Sequence, residues 1–119
     1  LADAVPGTAR RVLVGYSLGA ILAGMAAAAT RATHVIGISP PVAKVGLEAY
    51  RTCALPKLFL GGDDDFAFDR SRFDEEFERL PEPRAFRALR GADHFFRQEE
   101  ERVHRALAPF LLGREEGGE

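Results

Sequence analysis

Five residues, Gly15-Tyr16-Ser17-Leu18-Gly19, constrain this chain more than any other stretch. An apolar run, Arg11-Val12-Leu13-Val14, leads into them, and an alanine-rich run from Ala20 to Ala29 leads out. The pattern predicts a strand, a sharp turn and a helix, with Ser17 at the tip of the turn. Such a turn holds the hydroxyl clear of the backbone. It also crowds the positions two before and two after the serine, where glycine is expected for lack of a side chain. The N–H of Leu18, at the helix N-terminus, would point at a developing oxyanion. Simple capping of the helix by Ser17 is the other reading of the same residues.

Strand and helix patterns alternate four times along the chain. Strands are expected at 11–16, 33–39, 57–61 and 84–89, the last at a sheet edge. Val35-Ile36-Gly37-Ile38 and Lys57-Leu58-Phe59-Leu60-Gly61 are continuous apolar runs, as in strands covered on both faces. Helices are expected from 18 to about 31, from a cap at Asp69 or Ser71 to about 80, and through a stripe of Val103, Ala106, Leu107, Phe110 and Leu111. Pro109 should kink or shorten that last helix. Residues 1–10 read as a helix end and a turn at Pro6-Gly7. This alternation predicts an open, mostly parallel α/β sheet with flanking helices.

The 119 residues suit a single domain, with 113–119 as a frayed tail. A net charge of -2, with acids and bases interspersed, argues against nucleic acid or an anionic membrane as partner. No apolar run reaches the roughly 20 residues that span a bilayer. The single cysteine, Cys53, fits a reducing compartment and a cytoplasmic location.

In open α/β sheets, chemistry gathers in the loops beyond the C-terminal ends of the strands. Three of those loops here hold Ser17, the acids Asp63, Asp64 and Asp65, and His94. An imidazole can take a proton from a serine and return it to a leaving group near neutral pH. A carboxylate can hold the imidazole's tautomer. His34 precedes a strand, and His104 lies on a charged helix face, so both are weaker candidates. Asp93 is expected to shape its turn, and Phe95-Phe96 to anchor the histidine loop on the last helix. Consecutive aspartates on one loop cannot all converge on one ion, so no metal is expected. No Gly-x-Gly-x-x-Gly or Walker lysine marks a nucleotide site, and no cofactor is expected.

Four stretches carry a resemblance: Gly-Tyr-Ser-Leu-Gly at 15–19, Ile-Ser-Pro-Pro-Val at 38–42, Leu-Phe-Leu-Gly-Gly-Asp-Asp-Asp at 58–65 and Gly-Ala-Asp-His-Phe-Phe at 91–96. The chain resembles the C-terminal half of an α/β-hydrolase, of the small bacterial kind grouped with dienelactone-hydrolase-like and prolyl-oligopeptidase-like enzymes. The resemblance implies a serine hydrolase acting on a small acyl substrate, an ester or thioester. It implies Ser17 as nucleophile, His94 as base and Leu18 N–H as oxyanion donor. The family's acid lies three residues after the glycine closing its strand. That count selects Asp65 from Gly62, and Asp64 as second choice from Gly61. The resemblance also implies an N-terminal half that would supply a second oxyanion donor and a strand beside 11–16. The expectation is a fragment of a larger protein, or a chain needing a partner or self-associating through that edge. A non-catalytic fragment, or half of a two-chain binding module, is the alternative.

Overall fold

The computed structural model describes residues 9–113. The turn expected at Pro6-Gly7 and residues 114–119 of the expected tail lie outside them. Four strands, β1 (Val12–Tyr16), β2 (His34–Ile38), β3 (Lys57–Gly62) and β4 (Arg84–Leu89), form one sheet in the order β1-β2-β3-β4. All three pairings are parallel, with Val12 beside His34, Val35 beside Lys57 and Lys57 beside Arg84. The helices are α1 (Leu18–Ala26), α2 (Arg70–Phe77) and α3 (Glu100–Leu111). Every strand therefore ends at the same side of the sheet, and the loops after β1, β3 and β4 open there together.

The apolar runs are continuous because both faces are covered. On one face, Val35 and Phe59 pack under α1, α2 and the 42–55 segment, with Ile21, Leu47, Tyr50 and Phe73. On the other, Ile36, Leu58 and Leu60 pack under α3, with Leu107 and Phe110. Adjacent residues thus face opposite cores, as the period of two requires. The 42–55 segment buries Val42, Leu47 and Tyr50 in the core. Tyr50 lies so close to α1 that a Cβ on Gly24 would sit 2.6 Å from its ring, and its hydroxyl donates to the Ala20 carbonyl.

Three helix boundaries differ from the sequence reading. α1 stops at Ala26 and tightens into a 3-10 turn at Ala27–Ala29. Thr30 ends it there: its hydroxyl donates to the Ala27 carbonyl and accepts from the N–H of Ala32. α2 starts as expected, with the Asp69 carboxylate accepting from Arg72 N–H, but closes in turns over 78–80. α3 runs on past Pro109 to Leu111. The proline removes only the bond its own N–H would have made to the Arg105 carbonyl, and two helical residues follow it.

β4 lies at one edge of the sheet and β1 at the other. β1 pairs with β2 alone among the described residues. Val14 and Tyr16 on this edge are 48% and 44% exposed. Leu18, Leu22 and Met25 are exposed on α1 beside them, spaced to share one helix face. Below α3, an open groove of about 490 Å³ lies between Tyr16, Ile38, Phe96, Val103 and Leu107. Among the described residues no helix is long and apolar enough to cross a membrane.

Candidate active site

Ser17 sits between β1 and α1 with φ 58° and ψ -124°, a left-handed conformation that a serine adopts only when its surroundings impose it. Its N–H donates to the Ile38 carbonyl at 2.7 Å, holding the turn against β2. The Ser17 side chain makes no capping hydrogen bond with the helix. It turns instead to His94, with Oγ 2.9 Å from Nε2. Of the two glycines, Gly15 meets the crowding: a Cβ there would lie 2.0 Å from the Gly19 carbonyl oxygen. A Cβ on Gly19 would meet nothing within 4 Å. The expected mutual exclusion of side chains therefore applies at one position only, because the carbonyl of Gly19, not its Cα, is what approaches Gly15.

Asp65 follows β3 and is buried, its side chain fully so. A carboxylate out of water needs strong partners. Ala67 N–H donates to Oδ1 at 2.8 Å, and His94 Nδ1 lies 2.9 Å from both Oδ1 and Oδ2. Facing a carboxylate, Nδ1 carries the ring proton, which leaves Nε2 free to accept from the Ser17 hydroxyl. The neighbouring acids do other work. Asp64 is exposed, while its N–H donates to the Ala92 carbonyl. The Asp63 carboxylate accepts from Gly91 N–H. These two residues lace the acid loop to the histidine loop just before Asp65 and His94, which sets the spacing of the two side chains.

His94 is itself buried. Asp93 shapes its turn by accepting from Phe95 N–H at 3.0 Å. Phe96 inserts into the core under α3, as expected of an anchor, but Phe95 does not: it is 53% exposed. Two residues outside the sequence reading join the site. Tyr16 donates from its hydroxyl to the His94 carbonyl at 2.8 Å, bridging the two loops. Phe66, next to Asp65, is exposed with its ring centroid 5.1 Å from that of His94. The variable position of the Gly-x-Ser-x-Gly pattern gave no signal for Tyr16, and a single loop phenylalanine gave none for Phe66. His34 is buried at the far end of β2, with Nδ1 2.7 Å from Thr33 Oγ1, and His104 is exposed on α3. The N–H of Leu18, first in α1, has no carbonyl four residues back within the helix to bond.

No family model matches the chain. An uncharacterized protein of Rickettsia prowazekii is 27% identical over 116 residues, covering 90% of this chain and 49% of its own length. A serine hydrolase homologue from Coxiella burnetii superposes with a TM-score of 0.74 at 26% identity, over 84% of this chain and 48% of that one. A lidless α/β serine hydrolase from Xanthomonas campestris gives 0.70 at 27% identity, over 81% and 44%. Sheet order and these likenesses define the class: the chain has the α/β-hydrolase fold, and the solved structures it resembles are α/β serine hydrolases. Its four parallel strands are the C-terminal half of that fold, and it spans about half the length of the relatives it matches.

Proposed function

We propose that this chain carries the catalytic half of a serine hydrolase that cleaves a carboxylic ester, thioester or related acyl bond. Ser17 Oγ attacks the acyl carbon as its proton passes to His94 Nε2. Asp65 holds the ring and stabilises the imidazolium. The tetrahedral oxyanion forms beside Leu18 N–H. Collapse breaks the bond to the leaving group, which takes the proton from Nε2, and water then releases the acyl-enzyme by the same route. The observation that carries this reading is the 2.9 Å approach of Ser17 Oγ to Nε2, with Asp65 on the opposite ring nitrogen. The hydrolase neighbours support the class. The single cysteine supports a reducing, cytoplasmic setting.

The same reading treats 1–119 as one partial domain. A second oxyanion donor, and a strand to cover Val14 and Tyr16 on the β1 edge, would come from further chain or from a partner. Losing one such donor lowers rates by about 10²- to 10³-fold. The bare edge and the half-length match to hydrolase relatives also favour a second reading, a non-catalytic half that binds rather than cleaves. A fluorophosphonate probe separates the two. Labelling lost in Ser17→Ala supports the nucleophile. A folded protein that stays unlabelled, with and without added upstream chain, supports the binding module.

A further inference from the structure

Three aromatic rings stand around the His94 imidazole: Phe66 at 5.1 Å, Phe95 at 5.3 Å and Tyr16 at 5.6 Å between centroids. Tyr16 is tied down by its hydrogen bond to the His94 carbonyl. Phe66 and Phe95 are not core residues. They are 75% and 53% exposed, and their rings lie 6.2 Å apart. Two large apolar side chains turned to solvent on adjacent loops stay in water and gain little burial, so they are not there to hold the fold.

The chemistry says which part of a substrate they face. The imidazole takes the serine proton and gives it to the departing group, so that group must lie against the imidazole when the bond breaks. The acyl oxygen is drawn the other way, toward Leu18 N–H at the start of α1. Side chains that flank the imidazole on its open side therefore flank the leaving group.

We infer that Phe66 and Phe95 form a leaving-group subsite selecting esters of apolar, ring-bearing alcohols over esters of small alcohols. This rests on the proposed hydrolase reading. The two rings would meet an aryl group edge-on or offset, the arrangements aromatic pairs favour. The loops bearing them are held together by Asp63 with Gly91 and Asp64 with Ala92, which keeps the pair at fixed separation. Arg97 lies over the Phe95 ring at 4.9 Å and steadies it from the solvent side.

The test keeps the acyl group constant and varies the alcohol. Acetate esters of 2-phenylethanol and of propanol have leaving groups of similar basicity, so the ratio of their kcat/KM values reports recognition. The protein, Phe66→Ala, Phe95→Ala, the double variant and Ser17→Ala are compared. The expected result is a preference for the phenylethyl ester that falls about tenfold in the double variant, with the loss in the acylation phase, while the alcohol is still bound. Hydrolysis that depends on Ser17 but keeps the same ratio in the double variant overturns the subsite and leaves the hydrolase reading intact. Absence of any Ser17-dependent hydrolysis, with and without added upstream chain, overturns both. Both positions are exposed, so truncation there leaves the fold intact, and circular dichroism checks this.

Discussion

The Tyr16 hydroxyl donates to the main-chain carbonyl of His94 at 2.8 Å, joining residues seventy-eight positions apart in the chain. One is the neighbour of the candidate nucleophile and the other is the candidate base. The bond thus fixes the histidine loop against the elbow. Burial pushes the Tyr16 phenol above its ordinary pKa, aided by the charges of Asp65 and Asp93, so the donor stays protonated through the neutral range. Tyr16→Phe keeps the ring and removes the bond. It should lower kcat by about fivefold with little change in KM, in line with a net hydrogen bond of about 1 kcal/mol. Steady-state kinetics on a Ser17-dependent substrate would read this. An unchanged kcat would mean the loop is held without Tyr16.

The two candidate acids separate cleanly. Asp65 touches His94 and is buried, whereas Asp64 is exposed. Asp65→Asn presents an amide to Nδ1 and favours the wrong tautomer, so kcat should fall by about 10⁴-fold. Asp64→Asn should stay within about twofold, the range for a surface change. A reversed ranking in kinetic assays would point to a different arrangement of the acid loop during turnover.

The glycines of the elbow should differ in the same decisive way. Gly15→Ala places a methyl 2.0 Å from the Gly19 carbonyl oxygen, in backbone that has nowhere to move. The variant should lose more than about 3 kcal/mol of stability or fail to fold. Gly19→Ala meets open space inside a helix and should be neutral or stabilising by up to about 1 kcal/mol. Urea unfolding midpoints compare the two.

Lys57 opens β3 fully buried, its ammonium donating to the carbonyls of Pro81 at 2.8 Å and Pro83 at 3.3 Å. Desolvation lowers its pKa below the ordinary 10.5, with nearby Arg84 adding to the effect. Between the lowered value and 10.5 the unfolded chain holds more protons than the folded one. Stability contributed through Lys57 therefore rises with pH across that window and is lost as pH falls through the folded value. Lys57→Met removes the titration. The stability of the unmodified protein minus that of the variant, from urea unfolding, should grow as pH rises toward 10.5. A flat difference would show that the amine is not desolvated in solution.

Much of this fold is legible in short stretches. Val35-Ile36-Gly37-Ile38 and Leu58-Phe59-Leu60 announce strands buried on both faces, and β4 falls at 84–89, the boundaries expected. Ser17, the acids Asp63 to Asp65 and His94 could be picked out together because parallel strands send their following loops to one side, and the family resemblance then selected Asp65. The errors came where local patterns compete. Ala27 to Ala29 continue a helical composition, but the Thr30 hydroxyl takes over their backbone partners. Phe95 and Phe96 look alike in sequence, yet only Phe96 reaches the core under α3.

By itself the sequence determined the alternation of strands and helices, the strained serine turn and the residue types of the site, because each follows from neighbours a few positions apart. The tertiary structure alone decided the rest. It set the His94 ring between Ser17 and Asp65, joined Tyr16 to the histidine loop, and turned Phe66 and Phe95 outward around the imidazole. The physical reason is distance along the chain. These contacts depend on strand register and on how three loops meet beyond the sheet, and neither is written in any local spacing.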